Sequence, residues 1–394
     1  MGLKNLKYLV IGLVAFAIVG VSSVNATDAT NVEYPDSNVT SKLQEDGSYL
    51  VTLTGDADED FQVLDGQTVV LDLNGFELTN YTLGCEAIKV FEGGKLTIVD
   101  NSQEKDGKVV HQDGSTYSII TNQGTLIIEG GNYEISDNFY IIRNEADMTI
   151  NGGTFTSTSE TSMIGNMRST DQSGEELTDN DVYPKLVIKG GTFTSDDTVL
   201  INYANSTIEV NGGTFTSANE YALDNAGSAT INDGTFVSES TNAIFLNKDA
   251  SKDTVALSLA IAGGTITSAD DVESDFVLYA DGATGAANSD VVTITGGTFS
   301  NDVADLLDDS YEVVTDENGN LIVQKKEEVT VPPVEEDPSG NLGDSNTPND
   351  DTTTPSEDVP AVPQTFDALG MYAGIGAISI AAIAGAVIYL KRRA

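Results

Sequence analysis

Gly152-Gly153-Thr154-Phe155-Thr156-Ser157 is the stretch that decides the fold, because close copies of it recur along the chain. The glycine at the second position of each copy falls at 131, 153, 191, 213, 234, 264 and 297, so the shortest spacings are 21 and 22 residues. A period in this range is typical of a solenoid built from stacked units. The copies lie at residues 130–133, 152–157, 190–195, 212–217, 233–238, 263–268 and 296–300.

Each unit carries three short segments of alternating apolar and polar residues. In one unit, residues 148–150 precede the double glycine, the Thr-Phe-Thr-Ser segment follows it, and residues 140–142 come before both. A period of two is typical of half-buried strands, and glycine supplies the turns. Coils stacked about 4.8 Å apart pair their backbones and bury side chains that one coil alone would expose. The repeat therefore predicts an all-β parallel β-helix with about 22 residues per coil.

The apolar residue after each double glycine predicts the core of this solenoid. If the flanking threonines point outward, the residue between them must point inward. Stacking then places these side chains in one column. The residues expected in the column are Tyr133, Phe155, Phe193, Phe215, Phe236, Ile266 and Phe299.

Asparagines repeat with the same period. Asn122, Asn144 and Asn166 fall 22 residues apart, and Asn225 and Asn247 show that spacing again. Two interpretations are open. Their side-chain amides stack and bond from coil to coil, or they are turn residues that tolerate left-handed backbone geometry. Both interpretations place them at a corner of the coil.

The two chain ends predict export and an envelope anchor. Residues 1–26 combine two lysines, an apolar run and Val24-Asn25-Ala26, as in a cleaved signal peptide. Residues 369–390 carry no charge and precede Lys391-Arg392-Arg393, which is typical of a transmembrane helix with a cytoplasmic tail. The predicted segments are a signal peptide (1–26), an N-terminal cap (27–60), the β-helix (61–300), a helical turn and hairpin cap (301–326), a disordered acidic proline-rich spacer (327–364) and an anchor (365–394).

Composition limits the partners. The chain has 18 Lys and Arg against 62 Asp and Glu, a net charge of -44, which repels nucleic acid and anionic lipid. Such a charge attracts cations, but no Asp-x-Asp-x-Asp-Gly loop is present, so calcium has no supporting motif and no cofactor is predicted. Cys85 is the only cysteine, which excludes a disulfide within the chain and predicts a buried structural thiol.

With these features the chain resembles cell-surface proteins of Gram-positive bacteria that carry a pectate-lyase-like right-handed parallel β-helix and a cell-wall sorting signal. The repeat units, the Asp-Leu-Asn-Gly of residues 72–75 and the Tyr-Glu-Val-Val of residues 311–314 carry the resemblance. A degenerate form of the sorting pattern Leu-Pro-x-Thr-Gly stands at Val362-Pro363-Gln364-Thr365-Phe366, where Pro363, Gln364 and Thr365 fit and the outer two residues depart. The resemblance implies right-handed coils and a sortase that cleaves after Thr365. Simple retention by the transmembrane helix is the alternative.

Three insertions leave the coil at one turn, after the first strand. They span residues 167–183, 248–255 and 281–290. Stacked coils bring such loops to one edge, where solenoids usually bind their ligands, although tolerated surface loops are the alternative. The candidate binding residues on this edge are Arg168, Glu175, Glu176, Tyr183, Lys248, Asp253, Asp281 and Asp290.

Taken together, the sequence favours an adhesin-like surface protein that binds an extracellular glycan or a host or matrix protein, and no nucleic acid. Residues 196–197 and 270–271 are paired aspartates, but they belong to different coils and follow strand ends, where acidic turn residues are expected. His111 is expected to be a hydrogen-bonded strand residue. No catalytic residue and no metal site is therefore predicted. A polysaccharide lyase or hydrolase and a structural envelope stalk are the alternatives.

Overall fold

The computed structural model describes residues 32–33, 38–80, 82–111, 117–137, 139–167, 183–250 and 256–327. The predicted signal peptide, the predicted anchor and all of the predicted spacer except Glu327 lie outside these residues. The chain divides into two compact units, and every described residue belongs to the first, which ends at Val329. Within the described part, no helix is long and apolar enough to span a bilayer.

The described residues are all-β. They contain no α-helix, and their 3-10 turn is Ala304–Leu306. The strands are β1 (Val32–Glu33), β2 (Val39–Leu43), β3 (Tyr49–Leu53), β4 (Ala57–Asp58), β5 (Phe61–Val63), β6 (Thr68–Asp72), β7 (Glu77–Thr79), β8 (Ile88–Val90), β9 (Lys95–Val99), β10 (Lys108–Val110), β11 (Ile120–Asn122), β12 (Thr125–Ile128), β13 (Asn132–Ile135), β14 (Ile142–Asn144), β15 (Asp147–Ile150), β16 (Thr154–Ser157), β17 (Ile164–Asn166), β18 (Lys185–Ile188), β19 (Thr192–Ser195), β20 (Leu200–Asn202), β21 (Thr207–Ser217), β22 (Leu223–Asn225), β23 (Ser228–Ser238), β24 (Ile244–Asn247), β25 (Ser258–Ile261), β26 (Thr265–Thr267), β27 (Phe276–Ala280), β28 (Ala283–Ala286), β29 (Val292–Ile294), β30 (Gly297–Phe299), β31 (Tyr311–Thr315) and β32 (Leu321–Lys325).

These strands form two long sheets in which most pairs are parallel. Sheet B contains β5, β8, β11, β14, β17, β20, β22, β24, β27 and β28. Sheet A contains two parallel stacks. Stack 1 precedes the glycine corner and runs β3, β6, β9, β12, β15, β18, β21, β23, β25 and β29. Stack 2 follows the corner and runs β4, β7, β10, β13, β16, β19, β21, β23, β26 and β30. The chain thus visits sheet B, stack 1 and stack 2 in turn.

The inward side chains of stack 2 form the predicted aromatic column. The Phe155 ring centroid lies 4.7 Å from that of Tyr133 and 4.6 Å from that of Phe193, with interplanar angles of 8° and 9°. Every member of the column is at most 2% exposed. The prediction is therefore confirmed. The remaining members, which continue in register, are Phe215, Phe236, Ile266 and Phe299.

The corner before this column requires glycine. Gly153 has a φ of 118°, a region that L side chains rarely adopt. A Cβ at this position would lie 3.0 Å from the Gly131 carbonyl oxygen and 3.2 Å from Cε2 of Phe155. The same corner recurs in the later copies of the repeat, where the second glycine has a positive φ and a Cβ would lie 2.6–3.3 Å from the glycine carbonyl oxygen of the turn beneath.

The asparagines form a continuous ladder of side-chain amides, which confirms the first of the two interpretations. Asn122 Nδ2 donates to Asn144 Oδ1 at 2.7 Å, and Asn144 Nδ2 donates to Asn166 Oδ1 at 2.8 Å. The ladder continues through Asn202 to Asn225 at 2.9 and 2.8 Å. All five side chains are fully buried, and none of them has a positive φ.

The prediction was wrong for Asn247. Leu246, not Asn247, pairs in register with Asn225, because β24 keeps a buried leucine at the ladder position. The last ladder amide, Asn225 Nδ2, donates instead to the Ser258 carbonyl oxygen at 3.0 Å. Asn202 was the missed member, and it joins the two predicted series into one.

Antiparallel strands close the stacks. At the N-terminal end β2 pairs with β1 and β3, and β3 then joins stack 1 beside β6. At the C-terminal end β32 pairs with both β30 and β31, which confirms the predicted hairpin. Sheet B ends on β28, antiparallel to β27, which the sequence did not indicate. Buried Asp275 connects the start of β27 in sheet B with the end of β30 in stack 2. Its carboxylate accepts hydrogen bonds from Ser300 and Asn301.

Candidate binding surface

The outer face of sheet B changes character along the stack. In each parallel strand of sheet B one residue stands between two buried neighbours, so the alternation of the strand points it away from the core. We call these residues the outer column. It begins with polar or charged residues and becomes apolar around a single carboxylate. In order, the outer column is Gln62, Lys89, Thr121, Arg143, Gly165, Ile201, Asp224, Phe245 and Val277.

Tyr140 bridges three coils across this face. Its hydroxyl lies 3.1 Å from that of Tyr203, although the two residues are 63 positions apart. Gly165 belongs to the coil between them, and a Cβ there would lie 3.1 Å from Cε1 of Tyr140 and would also overlap the Met167 side chain. The tyrosine ring therefore occupies space that any larger residue at 165 would need. The pKa of Tyr140 is raised mainly by burial and, to a smaller extent, by the hydrogen bond with the Tyr203 hydroxyl.

Further along the stack, three aromatic rings follow one another. The Tyr221 and Phe245 centroids are 4.8 Å apart with an interplanar angle of 27°, and those of Phe245 and Tyr279 are 6.3 Å apart with an angle of 28°. All three side chains are only partly buried. Aromatic side chains that combine an apolar body with a polar hydroxyl are enriched at binding interfaces. We call Tyr140, Tyr203, Tyr221, Phe245 and Tyr279 the aromatic surface.

Asp224 lies within this surface. In register it has Ile201 on one side and Phe245 on the other, so apolar neighbours flank the carboxyl. Among the described residues, no hydrogen bond or ion pair reaches its carboxylate. Burial alone raises the pKa of the Asp224 carboxyl to about 7, since removal from water disfavours the charged form.

Two further acids lie at the turn from stack 2 into sheet B. Burial raises the pKa of Glu220, and the charge of Asp197 on the preceding coil raises it further. The charges of Glu220 and Asp224 add to burial in raising the pKa of Tyr221. The paired aspartates of the sequence are separated as predicted. Asp197 and Asp270 precede β20 and β27, with β22 and β24 between them.

All three insertions follow strands of sheet B. They come after β17, β24 and β27, which confirms that they leave the coil at one turn. β17 and β24 are three ladder steps apart, or about 14 Å at the usual strand spacing. The aromatic surface lies on the coils between and beside these insertions.

Four of the candidate binding residues are described. Tyr183 is half-buried at the return of the first insertion, directly before buried Pro184. Lys248, Asp281 and Asp290 are exposed. The backbone N–H of Asp290 donates to Asn288 Oδ1 at 3.1 Å. The predicted residues that lie outside the described part are Arg168, Glu175, Glu176, Asp253, Pro363, Gln364 and Thr365.

The second and third insertions are joined at their bases. The Lys248 N–H donates to the Tyr279 carbonyl oxygen at 2.9 Å. The Asp249 carboxylate accepts hydrogen bonds from the backbone N–H groups of Asp281 at 2.8 Å and Gly282 at 2.7 Å. Asp281 has a φ of 55° and holds this turn. The structure thus brings Lys248 and Asp281 together, next to Tyr279 of the aromatic surface.

The lone histidine and cysteine lie away from this surface. His111 Nε2 is 2.9 Å from the Ser118 carbonyl oxygen, and burial lowers the pKa of its imidazole, as expected for a hydrogen-bonded residue at a strand end. Cys85 was predicted to be a buried structural thiol, but it is partly exposed, so the predicted burial was wrong. Burial nevertheless raises the pKa of its thiol above the ordinary value, which disfavours the reactive thiolate.

Two clefts among the described residues are lined by residues outside the aromatic surface. One cleft of about 450 Å³ lies between the 3-10 turn and the C-terminal hairpin, and another of about 420 Å³ lies beside Asp100 and Gly131. The Asp100 carboxylate in the second cleft accepts hydrogen bonds from three backbone N–H groups and has a structural role. No group of three or more His, Cys, Asp or Glu side chains suited to a metal ion occurs in the described part of the chain.

No protein-family model, curated protein or solved structure matches the chain. The function of the chain is therefore inferred from the geometry of the outer face of sheet B.

Sequence reasoning missed Asp224 and the aromatic surface. One signal was available, because Asp224 stands between inward-facing Leu223 and Asn225, where the alternation of the strand points it outward. Its apolar flanks could not be found without the register, since Ile201 and Phe245 belong to other coils.

Proposed function

We propose that the chain is an adhesin-like binding protein displayed on the outside of a Gram-positive cell envelope. In this proposal, the stacked strands are a right-handed parallel β-helix of about 22 residues per coil, and the acidic spacer (327–364) lifts it from the envelope. Residues 365–394 hold it there, either through sortase attachment after Thr365 or through a membrane-spanning helix. The ligand is an extracellular glycan or a host or matrix protein.

The observation that carries this proposal is the aromatic surface. Soluble proteins do not generally gather half-exposed aromatic rings around a carboxyl that has no partner, because such groups are more stable when covered. The surface also adjoins the turn from which the insertions leave, and loops gathered on one face of a scaffold are a usual place for a binding site. The chain's net charge of -44 disfavours acidic ligands.

Binding to an array of glycans and matrix proteins tests the proposal. The probe is the full chain in mild detergent, compared with a Tyr221→Ala, Phe245→Ala double variant. We expect the wild type to retain at least one ligand and the double variant to lose it. A matched control is Thr156→Ala, Thr194→Ala on the outer face of stack 2. Absence of any ligand would favour a structural stalk, and equal retention by both double variants would remove the aromatic surface from the proposal.

A second candidate is a polysaccharide-active enzyme. The observation that favours it is the pKa of about 7 for Asp224, which suits a general acid near neutral pH. Release of sugar fragments from a polysaccharide panel, with calcium present, tests this candidate. We expect no turnover, and fragments that disappear in Asp224→Asn would support the enzyme instead.

A further inference from the structure

The strongest unassigned feature is the carboxyl of Asp224. Asp224 is half-buried, whereas the fully buried carboxylates of Asp72, Asp100 and Asp275 accept hydrogen bonds from backbone or side-chain donors. Asp224 has no such donor within the described residues. A carboxylate without a partner in an apolar setting gains free energy when a donor or cation reaches it.

The flanks of Asp224 define what could reach it. Ile201 and Phe245 are each one strand away, at about 4.8 Å. Tyr221 and Phe245 stack on each other, which covers one face of each ring. An occupant therefore needs an apolar body that packs between these side chains and a polar head that reaches the carboxyl. Lysine and arginine have this construction, because their aliphatic stems cover apolar surface while the charged end pairs.

Charge complementarity favours a cationic head over a neutral or an anionic one. Glu220 and Asp197 carry negative charge at the adjoining turn. Burial is the only cause that acts on the pKa of Asp224, so no cation of the described residues compensates its carboxylate. A positive group would restore the ionised form of the carboxyl, whereas a sugar hydroxyl would offer only a neutral hydrogen bond.

We infer that Asp224, between Ile201 and Phe245, binds a lysine or arginine side chain of a partner protein. The inference rests on the proposed binding function and specifies its partner. It commits to a protein segment with one basic side chain set among apolar residues. A glycan ligand is the competing outcome of the test.

The experiment uses labelled peptides and the full chain in detergent at pH 8. One peptide has a central arginine between leucines, and its partner has citrulline, which keeps the shape and removes the charge. We expect the arginine peptide to bind roughly tenfold more tightly than the citrulline peptide, which is the typical effect of a charged hydrogen bond. Asp224→Asn should abolish that preference.

The control variant is Glu134→Gln. Glu134 is an exposed carboxylate on the outer face of stack 2, so its removal changes the net charge equally without touching the aromatic surface. It should keep the preference for arginine. The inference would be overturned if Asp224→Asn and Glu134→Gln lost the preference for arginine equally, or if the wild type bound the two peptides equally. If an array ligand is found but proves to be a neutral glycan, the inference fails while the binding function stands. If no ligand is found at all, the proposed function fails as well.

Discussion

The hydroxyl oxygens of Tyr140 and Tyr203 lie 3.1 Å apart across the coil that contains Gly165. Gly165 leaves room for this contact, because a Cβ at position 165 would lie 3.1 Å from Cε1 of Tyr140. Several properties of the protein can be tested from such contacts.

Gly165→Ala should destabilise the protein by about 1–3 kcal/mol, the usual result of forcing extra volume into a packed site. The new Cβ would lie 3.1 Å from Cε1 of the Tyr140 ring and would overlap the terminal methyl group of Met167. The denaturant midpoint of the full chain measures the effect. Gly285→Ala is the matched control, because no atom lies within 4 Å of a Cβ built there. Equal midpoints for the two variants would refute this account of Gly165.

Phe193→Ala should lower the free energy of unfolding by about 3–5 kcal/mol, because it removes a fully buried ring from the middle of the column. Thr194→Ala, at the exposed neighbouring position, should change the free energy of unfolding by no more than about 0.5 kcal/mol. Thermal unfolding followed by circular dichroism compares the two. A Phe193 variant as stable as the Thr194 variant would mean that the column does not hold the coils together.

Asn166→Ala should break the amide ladder at its centre. It leaves the donor of Asn144 and the acceptor of Asn202 without their ladder partners, at about 1–3 kcal/mol for each group that stays unsatisfied. Asn247→Ala removes the same side chain outside the ladder and should have a much smaller effect on the unfolding midpoint. A larger loss for Asn247 would contradict the register observed for β24.

Asp224 should make stability depend on pH. Its pKa is about 7 in the folded chain against an ordinary value of 3.8, so between these values the folded state holds a proton that the unfolded state has lost. Stability should therefore fall as the pH rises from about 4 to 7 and then level off, by at most a few kcal/mol. Asp224→Asn should remove this part of the fall. Glu220 contributes in the same direction and remains in both proteins. Identical pH profiles for wild type and variant would exclude the raised pKa.

The anchor can be identified by mass spectrometry of cell-wall digests. Sortase attachment should give a peptide that ends at Thr365, because the sortase would cleave the bond that follows this threonine. Retention by the helix should leave residues 366–394 intact in the membrane fraction. Thr365→Ala should abolish the wall-linked peptide and have no effect on helix retention.

The parts of this fold that follow from local chemistry were predictable. A glycine corner and a period of two determine where each strand begins and which side chains point inward, so Phe155 and its equivalents could be located from the repeat alone. Asn247 shows the limit of that reasoning, because spacing along the chain equals register only when strands have equal lengths. Asp224 shows another limit. Alignment on the second glycine of each repeat places it level with Phe245 but one position away from Ile201, whereas the strands pair it with both residues.

The asparagine ladder has a direction. Every amide from Asn122 to Asn225 donates toward the C-terminal coils. From Asn144 onward each also accepts from the amide on its N-terminal side, so the individual dipoles add rather than cancel. Hydrogen bonds in such a chain polarise one another. The asparagine ladder therefore has a net dipole along the stack. Substitution of one asparagine would weaken the hydrogen bonds of coils that it does not touch.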